Sequence, residues 1–318
     1  MKIFIIRFSS IGDVVLTTPV IRCCKQQVKD AEIHFVTKSA FKSTLENNPY
    51  VDKLITFGKE FTEVLPELKK ENYDFVIDLH NNLRSTRLKL ALGKKSSTFK
   101  KLNIQKWLAV HLKSKTVLPD IHIVQRYLEA AAPLGVNDDG KGLDYFISEK
   151  DSVDLNAIGQ NLKNGFIALV VGGSYYTKKI PLNKLIEICN HSKLPVVLLG
   201  GKEDASIAEQ VVSKCKNAFH ICGKYSINQS AFVIRHSSFV ITSDTGLMHI
   251  AAAFGKKIFS LWGNTIPEFG MYPYQPGEGS QILEVKNLKC RPCSKLGYSK
   301  CPKGHFKCMN EIKIEKIW

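Results

Sequence analysis

Short apolar runs alternate with amphipathic segments along this chain, the pattern of βα units whose parallel strands are buried on both faces. In the first half the pattern predicts strands at Lys2–Arg7, Glu32–Thr37, Lys53–Phe57 and Phe75–Leu79. Helical spacing follows at Val14–Val28 and Phe61–Lys70. Gly135–Asp154, rich in Gly, Asp and Lys, reads as a linker. A second series then predicts strands at Phe166–Val171, Pro195–Leu199, Ala218–Ile221, Phe239–Thr242 and Lys257–Leu261. Helices at Leu182–Cys189, Asp204–Lys214, Gln229–His236 and Leu247–Phe254 lie between or after them. Two doubly wound α/β domains, residues 1–150 and 155–318, are the simplest account of that order. Ligands of such sheets sit beyond the carboxyl ends of the strands, so a cleft between the two domains is the expected site.

Composition narrows the class. With 318 residues and 44% apolar content, the chain can bury a sizeable core, which excludes disorder. Its longest apolar stretches, such as Ile3–Ile6 and Leu194–Leu199, fall far short of the roughly 20 residues that cross a bilayer. Arg7 and Asp13 interrupt Met1–Val20 before any signal-peptide core, so a cytoplasmic location is expected.

Charge changes the picture more. The chain has 45 Lys+Arg against 29 Asp+Glu, a formal net charge of +16. Leu79–Pro119 holds ten basic residues and no acidic one, and Lys286–Trp318 holds nine basic and two acidic. These two patches carry the whole excess, so a polyanionic partner is expected. Nucleic acid, anionic lipid and a phosphorylated glycan all fit that description.

The candidate chemistry lies at strand exits. In RFSSIGDVVLTTPV the first strand ends in a tight polar turn, Ser9, Ser10 and Gly12, and Asp13 stands at the start of a helix. Such a carboxylate can serve the helix end alone, or face a ligand; local sequence leaves the two roles level. Neither G-x-G-x-x-G nor G-x-x-x-x-G-K-[ST] occurs, which removes most support for a dinucleotide oxidoreductase or a P-loop NTPase. In FVITSDTGLMHIAAAFG a buried strand feeds Ser243, Asp244, Thr245 and Gly246 into a helix containing Leu247 and His249. Free amides at that helix start suit a diphosphate. Two more Gly-rich turns, GGSYYTKKIP with Lys178 and GGKED with Glu203, follow other strands of the same domain. Lys178 can meet a phosphate and Glu203 a ribose hydroxyl, so together they point to a nucleoside diphosphate.

These runs also resemble a known family. RFSSIGDVVLTTPVIR, YDFVIDLHNNLRS, the K-x-x-P of Lys178–Pro181, LLGGKED, SDTGLMHIAAAFGKK and SLWGNTIPE are similar to the ADP-heptose:lipopolysaccharide heptosyltransferases of glycosyltransferase family 9. The tail pattern CxPC…CPxGHxxCM resembles the heptosyltransferase II branch. The resemblance implies a GT-B fold, two Rossmann-like domains facing across a cleft, with acceptor on the N-terminal domain and ADP-sugar on the C-terminal one. It implies an inverting transfer of heptose without metal or cofactor, at the cytoplasmic face of the inner membrane, to the anionic lipopolysaccharide core. The absence of any D-x-D motif agrees. By the same resemblance Asp13 is the catalytic base, Lys178 contacts the donor phosphates, and Glu203 binds ribose. Asp244 holds sugar hydroxyls, Thr245, Gly246 and Leu247 form the turn whose amides take the diphosphate, His249 lies beside it, and Ser243 is a further donor-binding residue. Ser10, Gly12 and Arg84 fall on the acceptor side. The chain departs from the family in carrying His80-Asn81 where Gln-Gly is usual. The rivals are transfer of another nucleotide-activated sugar to a different glycan and, from another class, a basic nucleic-acid-binding protein. The second rival is weak: Leu79–Pro119 has only Phe99 and Trp107 as aromatics, few for a base-stacking platform.

Five of the nine cysteines, Cys23, Cys24, Cys189, Cys215 and Cys222, lie in helix or strand patterns and read as buried hydrophobes. Cys290, Cys293, Cys301 and Cys308 cluster at C-x2-C-x7-C-x6-C among lysines. Their spacing admits a zinc knot, packed thiols or a surface disulfide, and the resemblance requires no metal.

Overall fold

Every strand pairing in the chain is parallel, and the strands form two sheets. The computed structural model describes residues 1–318. Its first sheet contains β1 (Lys2–Ile6), β2 (Glu32–Lys38), β3 (Lys53–Phe57), β4 (Phe75–Asp78) and β5 (Ser96–Thr98), in the order β3-β2-β1-β4-β5. The second contains β6 (Ile167–Val170), β7 (Val196–Leu199), β8 (Ala218–His220), β9 (Phe239–Ser243), β10 (Ile258–Trp262) and β11 (Gln281–Glu284), in the order β11-β10-β9-β6-β7-β8. Both orders reverse at one place, between β1 and β4 in the first sheet and between β6 and β9 in the second. That switch point is where an open α/β sheet offers a crevice to a ligand.

The helices of the first half are α1 (Ile11–Val15), α2 (Thr18–Gln27), α3 (Leu65–Lys70), α4 (Leu83–Leu92), α5 (Asn103–Leu112) and α6 (Ile123–Glu129). Those of the second are α7 (Leu155–Ile158), α8 (Leu182–His191), α9 (Ala205–Val212), α10 (Ile227–His236), α11 (Gly246–Ala253) and α12 (Lys307–Asn310). The chain divides into two compact units, one of Met1–Lys101 with Ile121–Phe146 and one of Leu102–Asp120 with Ile147–Trp318. The sequence pattern places 102–120 with the first domain. Packing decides otherwise: Ala109 of α5 is fully buried against Ile266 and Phe269 of the second unit. The basic stretch Leu79–Pro119 is therefore shared between the units.

Local chemistry accounts for where elements break. The single helix expected over Val14–Val28 is two, because Pro19 has no N–H to give the Val15 carbonyl. Thr18 Oγ1 donates to that carbonyl instead, at 2.8 Å, and Thr17 Oγ1 donates to Val14 at 2.7 Å. Pro66 likewise sets the start of α3, after a separate turn at Phe61–Glu63. The expected linker is tied down over its first part. Arg22, 2% exposed on α2, is gripped by Asp139 (2.7 and 2.8 Å), by Asp144 and by the Gly142 carbonyl. Each unit has its own core, one around Phe4, Phe8, Val36 and Tyr73, the other around Leu169, Leu198, Ile241 and Met309.

Candidate active site

The switch point of the first unit carries Asp13. After β1 the chain turns through Ser9 and Ser10 and enters α1, where Asp13 is the third helical residue. Its Oδ2 accepts from the Ser10 amide (3.1 Å) and the Ser10 hydroxyl (2.8 Å), so it does serve the helix end. It also does more. Arg7 Nη2 lies 2.5 Å from Asp13 Oδ1, while the rest of the guanidinium donates to the carbonyls of Leu79 (2.5 Å) and Ser9 (2.8 Å). Burial favours the neutral acid, but Arg7 and the Ser10 hydrogen bonds outweigh it and hold the Asp13 carboxyl below the usual carboxylate range. Asp13 is therefore an ionised, oriented carboxylate that remains partly open to solvent.

β4 ends beside it. Asp78 is fully buried, and its Oδ1 accepts from the amides of His80 (2.9 Å) and Asn81 (2.8 Å). Its Oδ2 takes the Ser85 hydroxyl (2.9 Å) and Lys89 (3.2 Å). The family departure at His80-Asn81 has a backbone explanation. Asn81 sits at φ +49°, the left-handed region that glycine fills freely and that asparagine tolerates best among other residues. His80 packs on Phe8 at 4.8 Å, and burial with the Arg7 and Lys101 charges pushes its imidazole down to about 4. Of the acceptor-side candidates, Ser10 and Gly12 adjoin Asp13, whereas Arg84 is an exposed, unpaired cation on the first turn of α4.

The second unit assembles the other candidates at its own switch point. Lys178 follows β6 and Asp244 follows β9, strands that are neighbours in the sheet. Lys178 Nζ lies 2.6 Å from Asp244 Oδ2, and Thr265 Oγ1 donates to the same oxygen at 3.0 Å. Thr245 caps α11 without a side-chain bond to its amides; its hydroxyl faces Thr242 at 3.2 Å. The Ser243 hydroxyl is buried without a partner, and His249 is buried within α11. Beside this turn lies a cavity of about 300 Å³, lined among others by Gly172, Gly201, Glu203, Tyr225, Thr245 and Gly246.

Two of the glycines lie directly beneath carboxylate side chains, one fixed and one able to move. A Cβ at Gly201 would fall 2.4 Å from the Glu203 carboxylate, and one at Gly172 would fall 2.6 Å from Asp204 Oδ2. Asp204 is the residue that sequence reasoning passed over. It is 1% exposed, accepts the Gly201 amide at 2.9 Å and pairs with Lys179 at 2.6 Å. Glu203 and Asp204 both line the cavity, Glu203 exposed and Asp204 buried with Lys179 bracing the turns, whereas Lys178 is paired with Asp244 and is not part of that lining. Tyr225, Ile227 and Ser230, which also line the cavity, follow β8 and had no signal beyond the Ser226 cap of α10.

The four tail cysteines are free, with Cys308 buried and the other three half-buried. Burial first, then the neighbouring thiols, raises Cys293 to about 11 and Cys308 to about 12. Cys23, Cys24, Cys189, Cys215 and Cys222 are buried as expected. Arg291 gives part of the second basic cluster a structural task. It donates to the carbonyls of Gly263 (2.5 Å), Val285 (2.8 Å) and Thr265 (3.0 Å), so it holds the loop that presents Thr265 to Asp244.

Two Rossmann-like units, the second with a glycine-lined cavity at an uncapped helix start, are the architecture of the GT-B fold class. The chain belongs to glycosyltransferase family 9 (heptosyltransferase), whose model matches residues 62–300. It is 25% identical over 292 residues to lipopolysaccharide heptosyltransferase 1 of Campylobacter coli, covering 83% of this chain and 84% of that one. It is 24% identical to lipooligosaccharide heptosyltransferase 2 of Campylobacter jejuni, over 100% of this chain and 96% of that one. Among solved structures it resembles the ADP-heptose lipopolysaccharide heptosyltransferase II of Escherichia coli, with TM-score 0.68, 18% identity and 98% of each chain covered.

Proposed function

We propose that this protein is an inverting, metal-independent transferase that moves heptose from ADP-heptose to the lipopolysaccharide inner core. The observation that carries this reading is the second unit's cavity, with the amides of α11 at one end and Lys178 and Asp244 beside them. An uncapped helix start and a lysine suit a diphosphate. Glu203, exposed at the rim, is placed to accept ribose hydroxyls. When the donor binds, Lys178 exchanges the Asp244 carboxylate for phosphate oxygens, which frees Asp244 to accept hydrogen bonds from sugar hydroxyls.

In the transfer step, Asp13 takes the proton of the acceptor hydroxyl as that oxygen bonds to the anomeric carbon. The bond from that carbon to the diphosphate oxygen breaks at the same time, and ADP departs from the opposite face, which inverts the centre. Negative charge growing on ADP is met by the α11 amides and Lys178. Arg7 keeps Asp13 ionised and aimed, at some cost in basicity. Ser10, Gly12 and the exposed Arg84 receive the anionic acceptor in the first unit. No helix is long and apolar enough to cross a membrane; attachment to the cytoplasmic face of the inner membrane is peripheral in this reading. Incubation with ADP-heptose and defined truncated core acceptors, read by product mass, should add one heptose. Transfer only from another nucleotide sugar would overturn the donor assignment.

A further inference from the structure

The C-terminal part of the first basic stretch, residues 102–119, meets the second basic stretch in the second unit. Lys113, at the end of α5, lines a cavity of about 410 Å³ with Lys289, Cys290, Cys293, Tyr298 and Lys303 of the tail. Lys113 and Lys115 line another, of about 710 Å³, with Lys286 and Lys289. The two carboxylates there are already engaged, Glu268 with Lys115 and Glu284 with Arg291. The linings of the two cavities together hold six basic residues, Lys113, Lys115, Lys286, Lys289, Arg291 and Lys303, against these two carboxylates, so the surface is net positive.

α5 brings an apolar face to the same place. Its inner side is held down by buried Ala109, by Lys106 over the Phe269 ring at 5.3 Å, and by Lys113 donating to the Pro292 carbonyl at 2.8 Å. At helical spacing, Ile104, Trp107, Leu108, His111 and Leu112 then share the outer side. Ile104 is 73% exposed, Trp107 52% and Leu112 63%. Leu296 and Tyr298 of the tail are exposed as well. Isolated exposed apolar residues need no explanation, but five within two adjoining basic segments do.

We propose that the outer face of α5, with the lysine-rich tail beside it, is the surface by which the protein docks on an anionic lipid bilayer. This rests on the peripheral attachment proposed above and gives it a location. Aliphatic side chains with a tryptophan, flanked by lysines, match the interfacial helix that inserts shallowly among acidic headgroups. Nucleic acid would use the lysines yet gain nothing from Ile104, Leu108 and Leu112. A second copy of the chain would set lysines against lysines.

The test uses the full chain with vesicles of phosphatidylcholine alone and with about one third phosphatidylglycerol. Trp262 is buried, so Trp318→Phe leaves Trp107 as the exposed fluorescent reporter. Its emission should shift to the blue with anionic vesicles and be quenched by brominated lipid. The triple variant Ile104→Ser, Trp107→Ser, Leu112→Ser should lose at least about tenfold in vesicle partition, with unchanged melting temperature and ADP affinity. If wild type binds neither vesicle, peripheral attachment itself fails and this surface with it. If wild type and triple variant bind alike, or Trp107 shows neither shift nor quenching while binding occurs, attachment stands and this surface is overturned. A self-association that the triple variant abolishes, with vesicle binding intact, also overturns it.

Discussion

Lys178 and Asp244 form an ion pair of 2.6 Å across the point where the second sheet reverses its order. Asp244 directly follows β9, and Lys178 ends the short 3-10 turn Tyr176–Lys178 in the loop after β6, the neighbouring strand. Both remain partly open to solvent, which lets a phosphate replace the carboxylate on Lys178 without burying an unpaired charge.

Lys178→Ala should therefore weaken ADP-heptose binding by roughly ten- to a hundredfold, the worth of a charge-assisted contact. Melting temperature should fall as well, because Asp244, only 13% exposed, loses its cation and keeps the Thr265 hydroxyl as a side-chain donor. Steady-state kinetics and calorimetry with ADP check this; an unchanged Michaelis constant for the donor would count against the role.

Gly172 and Gly201 separate rigid from adaptable crowding. Alanine at 172 meets Asp204, which is buried and tied to Lys179 and the Gly201 amide, so Gly172→Ala should lower both stability and ADP affinity. Alanine at 201 meets the end of the exposed Glu203 side chain, which can swing away. Gly201→Ala should weaken ADP binding with a near-normal melting temperature. Equal losses of stability in the two variants would contradict this division.

His80 sets a pH signature. Its imidazole takes a proton near pH 6.5 when the chain is unfolded but only near 4 in the fold. Between those values the unfolded chain binds more protons, so stability falls as pH falls through this window. The His80 contribution to that loss is about 2 kcal/mol at pH 5 relative to neutral pH. Urea unfolding of His80→Gln at pH 7 and pH 5 should show a correspondingly smaller loss than wild type. An identical pH response in the two proteins would mean that His80 is not held neutral.

Arg22→Ala should cost about 3 kcal/mol, because it strips Asp139 and Asp144 of their common partner in a nearly buried setting. Denaturant titration would measure it, and a loss below about 1 kcal/mol would show that 139–146 is held by other contacts.

Much of this was legible in the residues. Buried parallel strands are continuous apolar runs, so β1, β3, β6 and β7 stand within a residue or so of their expected ends. β5, three polar residues at a sheet edge, and β11, also an edge strand, carry too little apolar periodicity to be read. The site residues of the second unit were visible as glycine turns after strands. Asp204 was not, because nothing local distinguishes it from Glu203; only its burial beneath Gly172 and Gly200 does. Nor could the local pattern assign α5 to the second unit, since that depends on Ala109 meeting residues more than 150 positions later.

The most direct measurement is heptose transfer by Asp13→Asn, run beside calorimetric titration with ADP. The amide keeps an acceptor for the Ser10 hydrogen bonds but has no proton-taking carboxylate for the acceptor hydroxyl. Turnover should fall by at least about a hundredfold while ADP affinity stays within about twofold of wild type. Near-normal turnover would contradict the assignment of Asp13 as the base.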